Sequence, residues 1–363
     1  MHPTTVGIDL AKYTFSVCQV DRQGSVLHRR DLRREAMVPW LAQLPAGTIV
    51  AMEACSGAHY WARCCRELGL QPRVMAAQFV TPFRKSARSK NDRNDAEAIA
   101  TAARQGNMRF VSIKTVDQQA RLSWHRVREG YKRDYVEAMN RLRGLLAEFG
   151  IVVARSPSAL RRAVPAILER PDLPVTFLAA IRDLMEHWQQ LQERLRRCDQ
   201  RIEAHARADT RCCRVRALTG IGALTSDAVV ATVGNGSDFK NGRQMAAWLG
   251  VVPRQHSSGG REQLGSITRT GNTYLRTLLI QGARSSVLQA ARIPADKATP
   301  EQIWINQLAT RMPFGKLLTA VANKHARQLW AMLAHEEDYD SHAWLRHPMA
   351  QRISHPAVTE AAI

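Results

Sequence analysis

Short apolar runs punctuated by turn residues open the chain, and helical periodicity takes over from about residue 117. Residues 4–10 (TTVGIDL) and 48–53 (TIVAME) read as short strands, and their last polar residues are carboxylates, Asp9 and Glu53. Residues 14–20 and 25–32 read as two more strands, separated by the hairpin signal Asp21-Arg22-Gln23-Gly24. A helix over 38–44 tolerates Pro39 in its first turn, and a helix over 58–68, closed by Gly69, precedes a strand at 73–76. Three strands followed by alternating helix and strand predict an α/β domain.

Further on, Trp124, Tyr131, Tyr135, Ala138, Leu142, Leu145 and Phe149 mark one helical stripe. Ile181, Leu184, Trp188, Leu191, Leu195, Cys198 and Ile202 follow the alternating three-and-four spacing of a heptad seam. Pro157, Pro165, Pro171 and Pro174 must turn the chain between them, giving an antiparallel helical hairpin or an intermolecular coiled coil, in either case an arm suited to dimerisation. The run 218–225 (LTGIGALT) allows two readings. Its glycines let backbone amides approach a phosphate, or they serve a tight turn. A helix over 238–250 with a glycine stop leads to residues 252–260 (VPRQHSSGG), read as a polar, glycine-rich loop able to expose a nucleophile, which 265–272 continues. Helices resume at 273–288 and 301–335. A tail from Glu336, with His342, His347 and His355 at no metal-ligand spacing, reads as poorly structured.

Charge narrows the class of partner. Lys and Arg number 52 against 32 Asp and Glu, a net +20 that favours a polyanion, with nucleic acid the leading candidate. A membrane is not expected, because no apolar run reaches the ~18 residues of a spanning helix and the N-terminus lacks a signal-peptide pattern. A cytoplasmic location is therefore expected. The 7 cysteines include no C-x-x-C and read as packed or surface thiols.

The candidate chemistry centres on residues 90–100 (KNDRNDAEAIA), where Asp92 and Asp95 open an alanine-rich helical run. Positions i and i+3 share a helix face, so both carboxylates can point at one spot. With Asp9 and Glu53 at strand ends, four carboxylates can converge in the pattern by which RNase H-like nucleases hold Mg²⁺. Were they merely helix caps of a non-catalytic nucleic-acid-binding protein, their convergence would carry unrelieved repulsion. Arg84, Lys85, Arg88 and Lys90 precede the aspartate pair and read as phosphate-binding groups beside the metal.

Taken in order, GIDLAK, MEA, KNDRNDAEAIA, LTGIG, AAWLGVVPRQHSSGG, GSITRTGNTYLRTLL and ANKHARQLWAML span nearly the whole chain. In this arrangement the sequence resembles the DEDD transposases of bacterial insertion sequences, the bridge-RNA-guided serine recombinases that include the pilin-gene invertase Piv. The resemblance implies an RNase H-like (RuvC-like) α/β domain at 1–115, a helical coiled-coil arm at 116–210, a mainly helical transposase domain at 211–335 and a tail at 336–363. It implies a metal tetrad of Asp9, Glu53, Asp92 and Asp95 holding Mg²⁺, and a nucleophile at Ser258, which stands before Gly259 and beside Ser257. It further implies donor and target DNA as substrates, a guide RNA as partner, nucleoid association when bound to DNA, and a homo-oligomer, dimer or tetramer, in which one subunit's tetrad meets another's serine. An alternative retains the tetrad but uses water as the nucleophile, as in metal-dependent Holliday-junction endonucleases.

Overall fold

The computed structural model describes residues 4–84, 92–258 and 261–342, with the side chains of Asp92, Arg93, Ser257, Ser258, Arg261 and Glu262 outside the description. Lys85, Arg88 and Lys90 of the basic run, and His347 and His355 of the tail, also lie outside the described residues. The chain divides into two compact units, Met1–Asp117 and Gln118–Ile363. It is a mixed α/β protein with a central mixed sheet and many helices, consistent with an RNase H-like fold.

In the first unit the strands are β1 Thr5–Asp9, β2 Thr14–Val20, β3 Val26–Arg33, β4 Ile49–Glu53, β5 Gln71–Met75 and β6 Phe110–Val111. They form one sheet in the order β3-β2-β1-β4-β5-β6, antiparallel from β3 to β1, parallel from β1 through β4 to β5, and antiparallel again at β6. Helices α1 Met37–Leu41, α2 Ala58–Glu67, α3 Ala77–Val80 and α4 Asp92–Ala102 connect or cover the strands.

Strand periodicity assigns the two faces of the sheet. Val6 and Ile8 of β1 and Val50 and Met52 of β4 pack with Phe15, Met37, Leu41 and Trp61 in one core, on the side of α1 and α2. Ala51 packs instead with Ile99 and Ala102 of α4, while Cys18 and Val20 pack with Ala96 and Ala100 of the same helix. Side chains alternate along a strand, so Asp9 follows the parity of Gly7, and Glu53 that of Ala51, toward α4.

The second unit begins inside the first turn of α5 Val116–Glu148, which is followed by α6 Pro157–Leu168 and α7 Val175–Ala208. Ser156 caps α6, its hydroxyl accepting from the Ala159 amide, and Pro157 occupies the first turn, where its missing N–H costs nothing. Leu142 and Leu146 of α5, Leu160 and Val164 of α6, and Ile181, Trp188 and Leu191 of α7 share one core. These seam positions of α7 are therefore covered by α5 and α6 of the same chain.

Beyond α7 lie α8 Thr210–Val215, α9 Ala223–Val233, α10 Gly242–Trp248, a hairpin of β7 Pro253–Ser258 and β8 Arg261–Ile267, then α11 Thr273–Ala290, α12 Pro300–Ala309 and α13 Phe314–Ala334. One core joins these helices, with Val229, Met245, Leu249, Leu279, Val321 and Leu329 among its buried members. Residues 336–342 carry neither helix nor strand. They are nonetheless anchored, because Tyr339 is half-buried and donates its hydroxyl to Glu301 at 2.6 Å. Among the described residues no helix is long and apolar enough to cross a membrane.

Candidate active site

Asp9 and Glu53 are the last residues of neighbouring parallel strands, with Ile8 opposite Met52 in register, so they stand one strand spacing apart, about 4.8 Å. Four buried positions precede each in its strand, and both are only partly buried, at the sheet's C-terminal edge. Such an edge is where ligands bind in open α/β sheets.

Helix α4 reaches this edge because Gly7 has no side chain. A Cβ there would stand 2.1 Å from the Ala96 carbonyl oxygen and 2.5 Å from the Ala100 nitrogen. The alanines of the run let helix and strand touch at backbone distance, and Asp95, 8% exposed, is held one residue before that contact. Structure thus brings Asp9, Glu53 and Asp95 to one face. The helix carries Asp92 as its first residue, but that side chain lies outside the described residues.

A cation already bridges two of these acids. The Arg84 guanidinium lies 3.0 Å from Glu53 Oε1 through NH2 and 3.0 Å from Asp95 Oδ1 through Nε. Without it, a buried and a partly buried carboxylate would face each other unscreened. Burial, reinforced by the charges of Asp9 and Glu53, pushes up the thiol of Cys55, two residues beyond the end of β4. Among the described residues no three His, Cys, Asp or Glu side chains gather as a ready metal cage. Hard carboxylate oxygens with a cationic group seated between them are nevertheless the donor type that a divalent cation takes. The sequence placed Arg84 among phosphate-binding groups. Its partners are the carboxylates, a role no local signal announced.

In the second unit, residues 252–260 are largely not a loop. Pro253 to Ser258 form β7, paired antiparallel with β8, and Ser258 faces Arg261 in register as the last β7 residue before Gly259 and Gly260. Gly-Gly between two extended runs is itself a hairpin signal, obscured here by the polar character of both strands. The hairpin is held at its base. Buried Arg276 donates to the carbonyls of Leu249 at 3.0 Å and Thr270 at 2.9 Å, tying the residues that lead into and out of the hairpin. Gly271, at φ +76°, is needed as well, since a Cβ would lie 1.8 Å from the Trp248 carbonyl. The LTGIG run is likewise a structural turn. Gly220, at φ +85°, and Gly282 of α11 approach so closely that a Cβ on either would meet the other's carbonyl oxygen at 2.3 and 2.4 Å.

A buried polar network that the sequence did not reveal joins the start of α5 to the rest of this unit. His125 Nε2 is 2.8 Å from Asp227 Oδ2, and its Nδ1 is 2.9 Å from the Tyr274 hydroxyl. Arg121 donates through Nε to Asp227 at 2.9 Å and through NH1 to Asp209 at 2.7 Å. Burial alone would raise the Asp227 carboxyl, but His125 and Arg121 hold it below the ordinary carboxylate range. Asp227 and His125 are 0% and 2% exposed, so the network is sealed from substrate and positions α5, α9 and α11.

Comparison with known proteins places the chain in a family. Residues 6–151 match a family model described as "Transposase", and residues 212–298 match one described as "Transposase IS116/IS110/IS902 family". The chain is 45% identical over 343 residues to a Pseudomonas aeruginosa protein named "Probable family 20 transposase", covering 93% of this chain and 99% of the relative. It is 37% identical to the "Transposase for insertion sequence element IS1111A" of Coxiella burnetii, covering 92% of this chain and 90% of that one. A more distant similarity, 22% over 307 residues, links it to the "Pilin gene-inverting protein" of Moraxella lacunata, covering 81% and 86% of the two chains.

Proposed function

Because the chain belongs to the IS116/IS110/IS902 family of transposases, we propose that it cuts and rejoins insertion-sequence DNA through attack of Ser258 on a phosphodiester, beside a Mg²⁺ held by Asp9, Glu53, Asp92 and Asp95. As a transposase it is an enzyme of DNA phosphoryl transfer, and a DEDD-type domain points to divalent-metal dependence. The observation that carries the metal reading is the face shared by Asp9, Glu53 and Asp95, two of which already hold a guanidinium.

When bound, the metal neutralises charge developing on the phosphate and activates the attacking hydroxyl. Ser258 Oγ loses its proton as it bonds phosphorus. The bond from phosphorus to the departing DNA oxygen breaks, and that oxygen leaves as a free hydroxyl after taking up a proton. Attack by a hydroxyl of the new partner strand on the phosphoserine reverses these steps and restores the serine. Each phosphodiester broken is matched by one formed, so the cycle needs no nucleotide cofactor.

The functional division we propose is a metal domain at 1–115, an arm at 116–210 and a serine domain at 211–335. A guide RNA selects the DNA, and a homo-oligomer, dimer or tetramer, presents one subunit's carboxylates to another's serine. Because buried seam residues of α7 are covered within the chain, subunit contacts are assigned to other surfaces. The test is Asp9→Asn and Asp95→Asn, each of which keeps the side chain's shape but removes the charge that binds the metal. Both variants should fold and retain RNA but lose DNA cleavage. Wild-type cleavage by either would remove the metal site.

A further inference from the structure

Within the second unit a cleft of about 1870 Å³ is walled by the β7–β8 hairpin, the first turn of α13 and the strap 337–341. Its lining carries Arg243, Arg269, Lys316, Lys324 and Arg327. Lys324 stacks its ammonium 4.9 Å from the Trp304 ring centroid, and burial lowers its amine to about 8. Arg327 is also shifted down, first by burial and then by the charge of nearby Arg243, so like charges are held together here rather than apart.

Two further features suit an anion. Helix α13, 21 residues long, starts at Phe314 behind Pro313 with no side-chain cap, and Gly315 and Lys316 of its first turn line the cleft. The Lys316 amide already donates to the Pro313 carbonyl at 2.9 Å, so it is the positive dipole end of the helix that favours negative charge there. The strap, which follows the C-terminal end of α13, supplies Glu337, Asp338 and Asp340. Among the described residues, Glu301 is the one other carboxylate that lines the cleft. Tyr339 pins the strap by donating to Glu301 at 2.6 Å, and Asp338 pairs with Arg214 at 3.3 Å.

We infer that this cleft is a DNA-backbone surface of the transposase and that the acidic strap occupies its mouth, standing in for phosphates until DNA displaces it. The occupant is DNA because the row of cations matches a polyanion and DNA is the polyanion on which a transposase acts. The inference rests on the chain's acting on DNA, not on Ser258 being the nucleophile. It is therefore separable from the proposed chemistry.

The test is fluorescence anisotropy with a labelled 30-base-pair duplex of arbitrary sequence over a salt series, with a 30-nucleotide RNA as a second arm. Removing three phosphate contacts in Arg243→Ala/Lys316→Ala/Arg327→Ala should weaken duplex binding and lower the slope of log affinity against log salt by about 2 to 3. Neutralising the strap with Glu337→Gln/Asp338→Asn/Asp340→Asn should tighten duplex binding at least about threefold in the parent chain. The decisive comparison is the strap variant in the cation-depleted background, where the gain should vanish because strap and DNA no longer compete for the same groups. An equal gain in both backgrounds, or none in the parent, would overturn the inference. So would a salt slope that falls for RNA while that for the duplex stays unchanged, since the surface would then belong to RNA.

Discussion

Gly7 and Ala96 meet at a distance only glycine permits: a Cβ on Gly7 would lie 2.1 Å from the Ala96 carbonyl oxygen. That contact seats α4 on β1 and fixes Asp95 on the face to which Asp9 and Glu53 point. Gly7→Val should push the helix off the strand, destabilise the first unit by about 1–3 kcal/mol or more, and abolish cleavage. Urea unfolding and a DNA-cleavage assay check this, with Gly106→Ala as control because nothing lies within 4 Å of a Cβ there. Equal behaviour of the two variants would remove the steric account.

Arg84 holds Glu53 and Asp95 with the charge a metal would supply, so metal and guanidinium compete. Arg84→Ala should bind Mn²⁺ or Tb³⁺ several-fold more tightly and be less stable in the absence of metal, since the carboxylates then repel one another. Titration by calorimetry or Tb³⁺ luminescence checks it. An unchanged affinity would show that Arg84 does not compete with the cation, whereas no binding by either protein would count against the metal site itself.

Leu191 is 3% exposed within the core shared by α5, α6 and α7. Leu191→Asp buries an unpaired charge there and should cost about 3–5 kcal/mol, melting the arm inside a single chain. Circular dichroism through the thermal transition reads this directly. Loss of oligomer size with an unchanged melting curve would return the seam to the subunit interface.

His325 is 1% exposed, neither ring nitrogen has a hydrogen-bond partner among the described residues, and burial lowers its imidazole to about 4. The unfolded chain therefore takes up this proton from about pH 6.5 downward while the folded chain takes it up only near 4. Stability falls as pH drops through that window, by up to about 3 kcal/mol. His325→Leu should be more stable than the parent at pH 5, with most of the pH-dependent part of that gain gone above pH 7. Denaturant unfolding at both pH values measures it, and a difference independent of pH would contradict the assignment.

Much of this was legible in the sequence because strand and helix periods are local. The early strands were readable to within a residue or two at most ends, and the carboxylates Asp9 and Glu53 stood out as strand-end polar residues. That Gly7 shares a face with Asp9, and so admits α4, also follows from the period of two, although only the packed helix shows its use. What escaped was non-local. Arg84 pairs with acids 31 and 11 positions away, Asp227 takes its partners from α5 more than a hundred residues earlier, and Tyr339 finds Glu301 across 38. The β7–β8 hairpin was masked by polar strands, whose alternation carries little hydrophobic contrast.

The central claim, that a serine rather than water attacks DNA, is tested most directly by trapping the covalent intermediate. The transposase is incubated with its insertion-sequence ends, guide RNA and Mg²⁺, denatured, and examined by gel and peptide mass spectrometry for a nucleotide linked to Ser258. The account predicts an adduct on Ser258 in the parent chain, none in Ser258→Ala despite undiminished DNA binding, and a retained adduct in Ser257→Ala. Cleavage at the parent rate by Ser258→Ala, with no adduct and free-ended products, would contradict it and make water the nucleophile.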